Sequence, residues 1–108
     1  MKQLNSLRSF LLCVLIDRVT DCHDKAVRRL IAAEADRYYH DTLASHYLLE
    51  ASKVDPTTDW WGYAHLRDKQ QEQEDKRKQA SEHCRKCAQR VSQLREQLAA
   101  LRTKQLVG

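Results

Sequence analysis

The sequence predicts an all-α fold: a long antiparallel helical hairpin of coiled-coil type that self-associates into a helical bundle. Three observations carry this. The 108 residues include two glycines, one proline and a single cluster of turn-forming residues, Val54-Asp55-Pro56-Thr57-Thr58-Asp59. Turns are built from such residues, so a chain with one cluster reverses once. On both sides of it, apolar side chains recur at steps of three and four, the period of a helix face. Charged residues make up 31% of the chain, which suits elongated helices with solvated faces better than a compact globule of this length. One helical domain is expected over residues 1–108, with a first arm at 1–53, a turn at 54–58 and a second arm at 59–106.

In the first arm, Val19, Cys22, Ala26, Leu30, Ala33, Arg37, His40, Ala44, Tyr47, Ala51 and Val54 follow the helical steps, with Leu43 and Leu48 beside them. The stripe is made largely of small residues, and Arg37 and His40 interrupt it. Thr20 or Asp21 has N-cap chemistry, which allows a break near residue 20. Upstream, Phe10 to Ile16 is apolar all the way round. One facing helix covers only one stripe of it. Each large apolar side chain gains ~1.5–3 kcal/mol on burial, so leaving three or four in water costs much of a small protein's stability. Phe10, Leu11, Leu12, Leu15 and Ile16 are therefore expected to bind protein. A second copy of the chain, giving a homodimer with a four-helix end, is the simplest cover.

At the turn, Asp55-Pro56 carries the N-cap and N1 signature of the second arm. Trp60, Trp61 and Tyr63 follow it. They can close the turn against Tyr47, Leu48 and Val54, or serve as anchors of the kind found at interface hot spots. Neighbouring residues on a helix point about 100° apart, so both tryptophans cannot face one seam. The turn is the second expected partner-binding surface.

The second arm holds the clearest pattern. Ala80, Cys84, Cys87, Val91, Leu94, Leu98 and Leu101 form an a/d heptad stripe, with d at Ala80 and a at Cys84. Extended backward, the same frame runs through Arg77, Gln73, Gln70, Leu66 and Tyr63. Residues 67–79 contain no apolar side chain, so this stretch is expected to stay helical through propensity and pairs such as Glu72 with Lys76 and Glu74 with Lys78, without burying a seam. Folding the chain at Pro56 sets residues whose numbers add to about 112 level with each other. The leucine stripe then faces the region from Leu7 to Val19, and the basic strip from Arg85 to Lys104 faces Asp17, Asp21 and Asp24. Charge, apolar content and polarity agree across this pairing, as they do in a sequence that specifies one structure.

The net charge of +4 does not point to nucleic acid by itself. Arg90, Arg95, Arg102 and Lys104 occupy e and g positions, where charges pair with the neighbouring helix, and no aromatic residues interleave with them as on a single-strand platform. Pairing is favoured over phosphate contact. The run from Phe10 to Ile16 is short for a signal-peptide core, is closed by Asp17-Arg18 and lacks a following small-residue cleavage site. It is also well short of the ~20 residues that span a bilayer. Cys13, Cys22, Cys84 and Cys87 lie within helical patterns and not in a loop-rich disulfide scaffold. A cytoplasmic protein with free thiols and no membrane contact is expected.

His83-Cys84-Arg85-Lys86-Cys87 has the helical spacing to bring His83, Cys84 and Cys87 to one side. With Cys22 across the pairing, a tetrahedral zinc site or a Cys22–Cys87 disulfide can be drawn. Cys84 and Cys87 are nonetheless at core positions, where cysteine serves as a small buried hydrophobe, so neither metal nor cofactor is expected. Tyr38-Tyr39-His40-Asp41 and nearby His46 lack a glycine-rich loop, a nucleophile elbow or a concave site to work in. They are read as structural, and no enzyme is expected.

The two-helix layout with a turn bearing Trp60, Trp61 and Tyr63 resembles, in outline, the small coiled-coil hairpin stalk proteins of flagellar and type III secretion export machines. The apolar N-terminal run departs from that pattern. The resemblance implies a stalk or chaperone component of a secretion machine. Small accessory proteins that bind a host protein share the same outline. The residues themselves point to a non-enzymatic interaction module, such as an adaptor, chaperone, inhibitor or assembly factor. A zinc- or redox-responsive regulator using Cys22, Cys84 and Cys87 is one alternative, and a nucleic-acid binder using residues 85–104 is another.

Overall fold

A computed structural model describes residues 2–107, with side chains for residues 4–107. Met1 and Gly108 of the expected 1–108 domain, and the side chains of Lys2 and Gln3, lie outside the described residues. The chain is an all-α helical hairpin, α1 over Lys2–Ser52 and α2 over Trp60–Val107, with no strand among the described residues. No helix in them is long and apolar enough to cross a membrane.

α1 is continuous, so the break considered near residue 20 does not occur. Thr20 is not a cap. Its hydroxyl donates to the Ile16 carbonyl four residues back, at 2.7 Å, the way a threonine within a helix satisfies itself. At the other end the helix tightens, with the Lys53 and Val54 amides donating to the carbonyls of Glu50 and Ala51 at 3.2 Å each. Such three-residue bonds commonly close a last turn.

The start of α2 also differs from expectation. Asp55 and Pro56 do not open the helix. The Asp55 carboxylate accepts from the Thr57 amide at 2.9 Å and from its hydroxyl at 2.7 Å, which makes one isolated turn. Asp59 is the cap of α2: its carboxylate accepts from the Gly62 amide at 2.9 Å. That is the N-cap to N3 bond of a standard helix start. Thr57 and Thr58 are poor helix formers, and Asp59 offers a fresh cap just after them. A Cβ at position 62 would collide with the Asp59 carboxylate, so glycine there allows the cap its closest approach.

Thr57 holds the Asp55 carboxyl below the usual carboxylate range, chiefly through its hydroxyl and then through its amide. A carboxyl lowered on folding stabilises the fold above its unfolded pKa, and that contribution is lost as pH falls through the lowered value. Urea midpoints measured from pH 7 down to pH 2 should therefore fall more steeply for the wild type than for Asp55→Asn. Parallel curves would remove this role for Asp55.

The residues pack as two units, residues 1–30 with 86–108, and residues 31–85. In the first, Ala26, Val91 and Leu94 form a buried cluster flanked by Val19, Val27 and Leu30. Leu98 is buried as well. The helices run antiparallel here: the Gln105 amide donates to Cys13 Sγ at 3.5 Å, and Arg95 Nε donates to His23 Nε2 at 3.3 Å. A mirror at Pro56 would set His23 opposite about residue 89, so the meeting partner lies further along α2. Side chains on both helices lean toward their own N-termini, which shifts touching pairs in this direction. Position 22 is the other departure. Cys22 is exposed, and half-buried His23 takes the place on the seam expected for it.

In the second unit, Ala33, Ala44, Ala51, Ala80 and Cys84 are buried, a seam of small side chains. Gln73 is buried with them. The polar stretch 67–79 thus does line a seam, contrary to expectation. It can do so because His40 Nδ1 meets Gln73 Oε1 at 2.7 Å, and a buried amide is tolerated when its hydrogen bond is made. The expected Glu72–Lys76 pair forms at 3.4 Å. Glu74 pairs with Arg77 at 3.0 Å instead of with Lys78, and Arg77 reaches Asp41 on α1 at 3.8 Å. These solvated pairs add little stability individually.

Candidate functional site

Of the residues expected to bind protein near the N-terminus, Leu12 and Ile16 are half-buried, turned toward the seam of the first unit. Phe10, Leu11 and Leu15 remain largely exposed. The structure adds Leu4 and Leu7, exposed at 70% and 54%, to the same surface. Leu4, Leu7 and Leu11 step by three and four along α1, a second helical stripe beside the seam that continues to half-buried Val14. That spacing is present in the sequence, but the broad apolar run downstream of Leu7 masks it.

This surface includes a groove of about 450 Å³ walled by Leu4, Leu7, Leu11, Leu12 and Leu15, with Arg8 and Lys104 as its charged lining. A second groove, lined by Arg8, Thr103, Lys104 and Val107, shares the same two cations. Leu106 and Val107 at the end of α2 are also highly exposed.

The second expected surface lies in the other unit. Trp61 is 84% exposed and Trp60 60% exposed. Trp60 stays near Tyr63, ring centres 6.2 Å apart, while Tyr63 is half-buried on the seam. Leu48 and Leu49 are exposed as well, so Leu48 does not bury the tryptophans. Trp60 and Trp61 are the first two residues of α2, a place that follows from Asp59 and not Asp55 being the cap. Ile31, Tyr38 and Tyr39 are further exposed apolar residues that the periodicity did not single out.

The basic strip is less paired than expected. Arg85 bonds Glu82 on its own helix at 2.6 Å. Among the described residues, Arg90, Arg95, Arg102 and Lys104 form no ion pair with Asp17, Asp21 or Asp24. Arg95 instead donates to His23, whose other ring nitrogen lies 3.5 Å from Asp24. A groove beside them is lined by Thr20, His23, Asp24, Arg95, Leu98, Ala99 and Arg102.

Cys84 is buried on the heptad stripe, Cys87 half-buried, and Cys13 and Cys22 exposed. Among the described residues no three His, Cys, Asp or Glu side chains are grouped closely enough to hold a metal ion. His40 is engaged on both ring nitrogens, with Gln73 on one and Asp36 at 3.3 Å on the other. Arg37, Tyr38, Asp41, Arg77 and Ser81 border an open groove of about 240 Å³ next to it. No protein-family model, curated protein or solved structure matches the chain.

Proposed function

We propose that this chain is a non-enzymatic protein–protein interaction module, an adaptor, chaperone, inhibitor or assembly factor. It acts through the apolar face of α1 near its N-terminus and through the aromatic residues after the turn. One observation carries this reading: Leu4, Leu7, Phe10, Leu11 and Leu15 are all exposed on a few consecutive turns of one helix. At about 200 Å² for a fully exposed large apolar side chain, they present roughly 600 Å², the size of the largest patches that monomers leave uncovered. Patches at that upper limit are often functional, and larger ones mark interaction sites.

Site-specific photo-cross-linking in native extract tests the reading. A photoreactive residue at position 11 or 61 is expected to capture protein, either another copy of the chain or a different partner. The same group at Arg28, an exposed polar position on α1, is expected to capture little. Equal adduct yields at the three positions would refute the interaction-module reading.

A further inference from the structure

We infer that the leucine groove of the first unit receives the tryptophan-bearing turn of the second unit from another copy of the chain. This rests on the interaction-module reading and names its partner.

Charge decides between a second copy docked in this way and one docked face to face. Arg8 and Lys104 are the charged residues that line the leucine groove, and among the described residues no acid lines it. Two such grooves brought together would set Arg8 and Lys104 against the same cations of the other copy, and like-charge juxtaposition disfavours association. Residues 48–61 carry Glu50, Asp55 and Asp59 against Lys53 alone, and with Lys53 paired to Glu50 at 3.2 Å the uncancelled charges are those of Asp55 and Asp59. The turn is therefore the acidic counterpart of the groove.

Shape and area agree. A cavity of about 150 Å³ lined by apolar side chains can hold one aromatic ring. The groove between Leu4, Leu7, Leu11 and Leu15 offers about 450 Å³, enough for an indole, with Arg8 and Lys104 beside it. Cations next to an indole face add a further attraction. Trp60, Trp61, Leu48 and Leu49 expose an apolar area close to that of the leucine face. The two together come to roughly 1,200 Å², the lower edge of a standard interface. The contact joins two different surfaces, so each copy keeps one of each to offer, and association proceeds past the dimer into rings or chains.

Complementation between two variants tests this. Leu11→Asp with Leu15→Asp blocks the groove and leaves the turn, while Trp60→Asp with Trp61→Asp blocks the turn and leaves the groove. All four side chains are exposed, so helicity by circular dichroism should match the wild type. Light scattering across roughly 1–200 µM spans the affinities that interfaces of this size reach.

Each variant alone is expected at the 12.7 kDa of one chain, and their equimolar mixture at twice that mass. Wild-type mass should rise past the dimer with concentration. Raising salt from about 0.05 to 1 M should weaken the mixed complex at least fivefold, because opposite charges are screened. A turn-blocked variant that dimerises alone, and more tightly in high salt, would overturn the inference in favour of face-to-face pairing. A mixture that stays monomeric, or a monomeric wild type, would overturn it too. Cross-linking at position 11 separates the two failures: capture of a different protein there leaves the interaction module standing.

Discussion

Replacing Leu94 by alanine is expected to lower the unfolding free energy by ~2–4 kcal/mol, the range for emptying a well-packed leucine site. Leu94 is 2% exposed and sits against Ala26 and Val91, with Val19, Val27 and Leu30 around them. The neighbouring helix meets it there mainly with small and β-branched side chains, Val19, Ala26 and Val27, which have little freedom to fill a hole. In a protein whose total stability is of order 5–15 kcal/mol, the change should move the urea midpoint clearly without altering the slope. Leu11→Ala serves as the comparison. Leu11 is exposed, so for the dissociated chain its loss should stay within about 0.5 kcal/mol, as for other surface substitutions. Equal losses at both positions would mean that the seam does not run where it is drawn.

The second large effect lies at the polar couple in the seam of the second unit. His40→Leu alone should destabilise by ~1–3 kcal/mol, since it leaves the buried Gln73 amide without its hydrogen bond, and Gln73→Leu alone by less, since half-buried His40 keeps its contact with Asp36. The double substitution should recover that loss and can exceed the wild type, because two leucines bury cleanly where two polar groups had to be desolvated. A double-mutant cycle isolates the coupling, expected at ~1–3 kcal/mol. Additive single effects would show that the 2.7 Å contact between His40 and Gln73 contributes nothing in solution.

The same couple shows where sequence reasoning reached its limit. The stripe in α2 was legible from end to end: Ala80, Cys84, Val91, Leu94 and Leu98 are buried and Cys87 and Leu101 half-buried. Even the backward extension of the frame lands on Gln73. What periodicity does not reveal is that a glutamine at a d position can be buried once a histidine on the other helix satisfies it. Satisfaction is a property of the pair, and the pair is separated by 33 residues.

Position 22 fails for a related reason. From Val19 to Ala26 the helical steps pass equally well through Cys22 or His23, and apolarity alone selects the cysteine. The structure places His23 there, where Arg95 on the other helix donates to it. The cap of α2 was misplaced because Asp55-Pro56 has the stronger local signature. Asp59 wins by lying after the two threonines, next to the glycine that gives its carboxylate room.

For the candidate site, the apolar run and the tryptophans stood out by composition. Which of those residues face outward did not, since a run that is apolar all round has no visible period. Only the placement of Leu12 and Ile16 on the seam leaves Leu11 and Leu15 free for another protein. The exposed leucines at positions 4 and 7 extend that face, and Arg8 and Lys104 give it its charge.

Fold and function both depend on the return of α2 alongside the first turns of α1, which turns one leucine stripe inward and the other outward. A pair of nitroxide labels at positions 13 and 105, on chains diluted into unlabelled protein so that only distances within one molecule are read, measures this directly. The Gln105 amide lies 3.5 Å from Cys13 Sγ, and packed helices are ~8–10 Å apart. A distance of about 20 Å between the labels is therefore expected once their linkers are included. Two helices running on in line would separate the same positions by more than ~100 Å at 1.5 Å per residue, and such a distance would contradict the antiparallel pairing on which the outward leucine face depends.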